Sequence, residues 1–219
     1  MDKRGLLARS ELLAALGEDA LGALADTSRE VSLSRGEVLF DQDDAGRDLY
    51  ILMSGRIAIA KRAPDGRSSV VALMEEEDLF GEMSMFDGQG RSAEARALEP
   101  SRVIAVPYDA VRAALQGRPE ALWTVVALLA NRLRVTDEAL ADSMFLDVTG
   151  RTAKRLLELA GDSDEFTLPV TQEELAGMVG ASRERVNKAI ATFVRLGWLE
   201  LSDRRYRIVE RVKLAQRAL

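Results

Sequence analysis

From Pro119 to about Phe145 the chain carries apolar residues at Leu122, Val126, Leu129, Leu133 and Leu140, spaced 4, 3, 4 and 7 apart. Those intervals trace a heptad seam, so one long helix is predicted there, with Pro119 in the first turn, where its missing N–H costs nothing. The seam position skipped between Leu133 and Leu140 is Thr136, and Arg132, Arg134, Asp137 and Glu138 stand beside the stripe. Such a seam either pairs with a second copy of itself, giving a homodimer, or packs against the chain's own upstream domain. We expect the pairing.

The helix separates two unlike stretches. Upstream, short β-rich runs at 37–40, 49–53, 57–61, 69–73 and 103–107 are punctuated by Gly36, Asp43-Asp44-Ala45-Gly46, Ser54-Gly55, Pro64-Asp65-Gly66 and Asp87-Gly88. Turn signals at intervals of roughly 8 to 12 residues predict a compact sandwich or barrel of short strands. Pro64-Asp65-Gly66 predicts a hairpin, because Pro presets φ and Gly supplies a positive one. Downstream, Phe145-Leu146-Asp147-Val148-Thr149-Gly150-Arg151 breaks the periodicity as a hinge, with Asp147 available to cap a helix over 152–160. A polar loop at 161–165, an extended piece at 166–169, two compact helical patterns and a hairpin of 198–201 with 206–209 follow. The expected class is α+β: a β domain over 1–118, a dimerisation helix over 119–146 and a third domain over 147–219.

The chain has no cysteine and no histidine, which removes disulfides, thiol catalysis, structural zinc, iron–sulfur clusters, His-ligated haem and every Ser-His or Cys-His relay. Function must come from carboxylates, Lys and Arg, hydroxyls and backbone amides. The N-terminal stretch alternates charge with leucine and never runs apolar long enough for a signal peptide or membrane span, so no membrane partner is expected and the cytoplasm fits. Charge is uneven: residues 1–150 hold 17 Lys+Arg against 26 Asp+Glu, a net of −9, while residues 151–219 hold 13 against 10, a net of +3. Only the last third suits a polyanion.

That last third also carries a motif. Thr171 stands three residues before Glu174, the capping-box arrangement that starts a helix, with Leu175, Ala176 and Val179 on its apolar side. Gly180 ends it and Ser182 can cap a second helix, on which Val186, Ile190, Phe193 and Val194 share one face and Arg183, Glu184, Asn187 and Lys188 another. Helix, glycine turn and capped helix form a helix-turn-helix, whose second helix enters the major groove of DNA. Arg or Lys can pair with guanine and Glu can accept from cytosine. The hairpin that follows, with Arg204-Arg205 at its tip, is placed as a wing to touch phosphate, which makes the domain a winged helix.

A second cluster lies in the β domain: Phe80-Gly81-Glu82-Met83-Ser84, then a glycine-rich loop, then Arg91-Ser92-Ala93. Backbone amides from Gly81 to Ser84, with an Arg and a hydroxyl returning after the loop, are parts that can hold one phosphate, and a nearby carboxylate suits a sugar hydroxyl. On spacing alone, a surface loop with Glu82 paired to Arg91 explains the cluster equally well.

These residues, the hinge run at 145–151 and Gly180-Ala181-Ser182-Arg183-Glu184-Arg185-Val186-Asn187-Lys188 occur in the order of the Crp/Fnr family of bacterial transcription regulators, and the chain resembles its cyclic-AMP receptor branch over nearly its whole length. The resemblance implies an N-terminal cyclic-nucleotide-binding β-roll, a dimer helix and a C-terminal winged helix-turn-helix, with cyclic AMP as allosteric ligand. It assigns Glu82 to the ribose 2′-hydroxyl, Arg91 and Ser92 to the cyclic phosphate, Gly81, Met83 and Ser84 to the pocket wall and Thr136 to the adenine amino group. Asp137 stands where such receptors carry Ser or Asn, so its carboxylate either accepts from the adenine amino group or weakens binding. Arg183, Glu184 and Lys188 would read a TGTGA-like half-site of palindromic double-stranded DNA, with Thr171 and Gln172 near phosphate or the groove rim; Lys188 replaces a more usual Arg, whose fork an ammonium cannot reproduce. A homodimer working with RNA polymerase, and no enzyme, metal, haem or iron–sulfur cluster, is expected. The rival readings are a family member that binds DNA without an effector and a nucleotide sensor acting through protein contacts.

Overall fold

The computed structural model describes residues 2–63, 68–202 and 205–219. The turn expected at Pro64-Asp65-Gly66 and, of the expected wing tip at Arg204-Arg205, Arg204 lie outside those residues, while Arg205 opens a strand. The chain divides into two compact units, one ending at Leu133 and the other spanning Arg134–Leu219. Among the described residues no helix is long and apolar enough to cross a membrane.

The first unit opens with α1 (Lys3–Leu7), α2 (Glu11–Ala14) and α3 (Glu18–Thr27). Strands β1 (Arg29–Leu33), β2 (Val38–Phe40), β3 (Asp48–Ser54), β4 (Ile57–Arg62), β5 (Ser68–Met74) and β6 (Leu79–Phe80) follow, then α4 (Met83–Asp87), β7 (Glu94–Ala97), β8 (Ser101–Pro107) and α5 (Tyr108–Gln116). They form two four-stranded antiparallel sheets, ordered β1-β8-β3-β6 and β2-β7-β4-β5. Successive side chains on a strand face opposite ways, and β3 is apolar on both sides because both are covered. Tyr50 and Leu52 face the second sheet at Ile57, Ala95 and Ala97, whereas Leu49, Ile51 and Met53 pack on the helices with Leu6, Leu13, Leu24 and Val111. β1, β6 and β7 were not among the expected strands. The Glu-Ala-Arg-Ala of β7 has no strand-forming side chain of its own, yet it pairs with both β2 and β4.

A 3-10 turn at Pro119–Ala121 leads into α6 (Leu122–Phe145), the predicted long helix. Ala121 and Val125 are buried, and with Leu128 they join the core of the first unit. The seam is a different face: Leu122, Val126, Leu129, Leu133 and Leu140 are 40–61% exposed. The alternative, packing of the helix against its own domain, is met by neighbouring residues, and the seam itself is left uncovered within one chain.

The second unit contains α7 (Val148–Ala160), β9 (Glu165–Thr167), α8 (Gln172–Val179), α9 (Arg183–Arg195), β10 (Leu199–Ser202), β11 (Arg205–Ile208) and α10 (Arg211–Arg217), with an antiparallel sheet ordered β10-β11-β9. Asp147 caps α7, accepting from the Gly150 amide at 2.8 Å. The helix begins at Val148 rather than at Thr152, because that cap satisfies the first turn immediately after Asp147. Gly150 is needed inside it, since a Cβ there would lie 3.0 Å from the Arg217 carbonyl oxygen of α10. α10, only seven residues long, carries no strong periodic signal in the sequence. It is fastened at both ends: Arg217 pairs with the Asp147 carboxylate, while Arg211 donates to the Gly161 and Ser163 carbonyls and to Asp164, with Leu214 fully buried between.

Candidate functional site

In the first unit Gly81 follows β6 with φ +77°, which turns the chain into α4. Arg91 returns on the loop after α4, held by reciprocal backbone bonds with the 43–44 loop, Arg91 N to Asp44 O at 2.8 Å and Asp43 N to Arg91 O at 2.9 Å. The Arg91 side chain is only 3% exposed. Its Nη1 donates to the Gly81 carbonyl at 2.5 Å and to the Tyr108 hydroxyl at 2.7 Å, and Nη2 donates to the Asp48 carbonyl at 2.8 Å. The guanidinium carbon lies 4.1 Å from the Phe40 ring centroid, within a cluster in which Phe40 and Phe80 both stack near Tyr50. Arg91 Nε alone has no hydrogen-bond partner.

Glu82 is fully buried and does not pair with Arg91. Its partner is Arg132 of α6, with Nη1 2.9 Å from Oε1, and Arg132 also donates to the Leu79 carbonyl at 3.1 Å. Arg91 is spent on backbone carbonyls, which leaves the carboxylate to the arginine that α6 presents. Neither Glu82 oxygen has a hydrogen-bond partner of good geometry. Burial pushes the Glu82 carboxyl above its usual range, opposed by the Arg132 charge and by a backbone amide. Burial also raises the Tyr50 and Tyr108 hydroxyls against the pull of Arg91, so both are neutral hydrogen-bonding groups. Ser84 is buried, while Met83 and Ser92 are exposed and meet at a 3.5 Å Ser92 Oγ to Met83 Sδ contact. The structure thus gathers Gly81, Glu82, Met83, Ser84, Arg91 and Ser92 in one unit; Thr136 and Asp137 are exposed on α6 in the other.

In the second unit the capping box is complete: Thr171 Oγ1 accepts from the Glu174 amide at 3.1 Å, and Glu174 accepts from the Thr171 amide at 2.7 Å. Gly180 adopts φ +67° and ends α8, and Ser182 caps α9 by accepting from the Arg185 amide. Val186, Ala189, Ile190 and Phe193 are buried, which presents Arg183, Glu184, Asn187 and Lys188 to solvent on the opposite face. Val194, expected on the buried face, is 41% exposed. It sits roughly 80° around the helix from Val186, at the edge of the stripe whose other edge Ala189 fills. Gln172 Nε2 donates to the Tyr206 hydroxyl at 2.7 Å, tying the first helix of the motif to the wing. Thr171, Gln172 and Arg183 line one shallow groove with Leu168, Leu201 and Tyr206.

Residues 30–118 match the cyclic nucleotide-binding domain family and residues 150–217 the Crp-like helix-turn-helix domain family. A CRP-like cAMP-activated global transcriptional regulator of Mycobacterium tuberculosis is 40% identical over 220 residues, covering 97% of this chain and 98% of that one. The chain belongs to the CRP family of transcription regulators. A cAMP-activated global transcriptional regulator CRP of Escherichia coli is 34% identical over 159 residues, 69% of this chain and 76% of its own. Among solved structures, the Thermus thermophilus catabolite activator protein is 29% identical with a TM-score of 0.54, over 95% of this chain and 98% of that one. FixK2 of Bradyrhizobium japonicum, 20% identical with a TM-score of 0.79 over 88% of this chain and 98% of its own, shares the fold. Within this CRP-family chain, Tyr108, Tyr50, Phe40 and Arg132 complete the cluster around Gly81, and none of them carries a sequence signal for it, Arg132 standing out only as a charge beside the α6 seam. No local spacing could have flagged them, since they arrive from β2, β3, α5 and α6.

Proposed function

We propose that this protein is a homodimeric transcription regulator whose DNA binding is switched by cyclic AMP in the first unit. The observation that carries the reading is the pair of buried polar groups left incomplete on one cassette: the Arg91 Nε–H lacks an acceptor, and the Glu82 carboxylate, though ion-paired with Arg132, lacks a well-directed hydrogen bond. Phosphate supplies an acceptor and ribose supplies a hydroxyl donor, so the residues fit a cyclic nucleotide. The relatives from Mycobacterium tuberculosis and Escherichia coli are named as cAMP-activated, which favours adenine.

In this reading Arg91 and Ser92 hold the cyclic phosphate, helped by the first-turn amides of α4 at Met83 and Ser84, which lack acceptors within the helix. Glu82 accepts from the ribose 2′-hydroxyl and Gly81 lets the backbone approach. Thr136 and Asp137 meet the adenine. Two α6 helices pair along the exposed seam, so the dimerisation helix spans 119–146 between a nucleotide domain and a DNA domain. Arg183, Glu184 and Lys188 read bases, Asn187 stands on the same exposed face, and Thr171, Gln172 and Ser182 lie toward phosphate. Nucleotide shifts the dimer only to the extent that it binds better to the state whose recognition helices are about 34 Å apart, one turn of duplex. Such a protein works in the cytoplasm with RNA polymerase and catalyses nothing. The test is to select binding sites from random duplex with the purified protein, with and without cyclic AMP. Recovery of inverted half-sites one helical turn apart with nucleotide alone supports the reading; the same pool in both conditions, or no consensus, contradicts it.

A further inference from the structure

We propose that Tyr108 is the positioning residue that aims Arg91 at the phosphate. The inference rests on the pocket being the nucleotide site and adds to it a residue that acts through Arg91.

Tyr108 opens α5 immediately after Pro107 and is 4% exposed. Its hydroxyl accepts from Arg91 Nη1 at 2.7 Å and donates to the Gly81 carbonyl, to which Nη1 also donates at 2.5 Å. The three groups close a triangle that uses both Nη1 protons. Nη2 is held by the Asp48 carbonyl, and Phe40, Tyr50 and Tyr108 rings surround the guanidinium at 4.1, 5.4 and 5.6 Å. Of the three guanidinium nitrogens, Nε is the one with no hydrogen-bond partner, and Nη2 keeps a second proton beyond its bond to Asp48. A free arginine loses side-chain entropy when it grips an anion, whereas one already fixed in its plane loses little. Two glycines leave room for this arrangement. A Cβ at Gly81 would lie 2.8 Å from Arg91 Nη1, and one at Gly46 would lie 2.8 Å from the Tyr108 hydroxyl. Tyr108 thus spends its hydroxyl on the side of the guanidinium that faces the protein, which leaves the Nε side for the ligand.

Tyr108→Phe removes only that oxygen and keeps the ring in its packing. Cyclic AMP affinity is measured by titration calorimetry on the full-length dimer for wild type, Tyr108→Phe, Arg91→Lys and the double variant. The expected result is about tenfold weaker binding for Tyr108→Phe, the scale of one hydrogen bond to a charged group, and no further loss when the change is made in Arg91→Lys. Melting of each protein without ligand separates a folding defect from a positioning one: the expected midpoints for wild type and Tyr108→Phe are close. Wild-type affinity in Tyr108→Phe, or an equal loss in both backgrounds, overturns the inference. Absence of cyclic AMP binding to the wild-type protein overturns the nucleotide reading itself, and this inference with it.

Discussion

Replacing Leu133 with alanine separates a seam made for a second copy from one made for the chain's own domain. Leu133 is 61% exposed in the single chain, so its side chain has that much apolar surface left to bury. Full burial of a leucine is worth roughly 1.5 to 3 kcal/mol, and an isologous interface counts each change twice. Scaling by the exposed fraction and allowing for the methyl that alanine keeps gives about 2 kcal/mol per dimer, or about thirtyfold in the dimer dissociation constant. Sedimentation equilibrium over a concentration series reads that constant directly, and thermal melting at a concentration where both proteins are monomeric reads the fold. The expected outcome is a weaker dimer with the monomer's melting unchanged. A dimer constant equal to wild type, with a destabilised monomer, would assign the seam to intrachain packing and refute the reasoning.

Glu82→Gln should flatten one part of the pH–stability curve. Burial holds the folded carboxyl above its usual 4.5, so the folded state binds the proton more tightly and its stability falls as pH rises from about 4.5 through the raised value; urea midpoints against pH that are parallel for the two proteins would contradict this. Asp147 behaves in the opposite sense, because the Gly150 amide, with help from Arg217, holds it below 3.8. Its contribution is present above 3.8 and lost as pH falls through the lowered value. Asp147→Ala should cost about 1 kcal/mol at neutral pH through loss of the cap, and a chemical-denaturation midpoint unmoved at neutral pH would show that α7 does not depend on it. Lys188→Ala should relax preference at one base pair in competition binding, whereas a uniform loss over all sequences would make Lys188 a phosphate contact.

What the sequence made legible was whatever a short stretch of chain settles by itself. The heptad seam, the Thr171–Glu174 capping box, the Ser182 cap and the Gly180 turn are each local, and each is present in the structure. The misses depend on neighbours distant in sequence. β7 is a strand because β2 and β4 flank it, not because alanine favours strands. Glu82 faces Arg132, fifty residues on, rather than the nearby Arg91, because Arg91 is committed to Gly81 and Asp48. α10 gave no strong periodic signal in seven residues, and it is held by Arg211 and Arg217 on the two ends of α7. The cassette residues were readable as a group, but the aromatic box and Tyr108 that fix Arg91 were not.

The most direct test of the account is fluorescence anisotropy of a labelled duplex carrying inverted TGTGA half-sites, titrated with the protein at fixed salt, alone, with cyclic AMP and with cyclic GMP. Salt must be held constant because phosphate contacts make affinity fall steeply with it. The account predicts weak binding by the protein alone and tightening with cyclic AMP. Equal, tight binding in all three conditions would keep the helix-turn-helix and contradict nucleotide control.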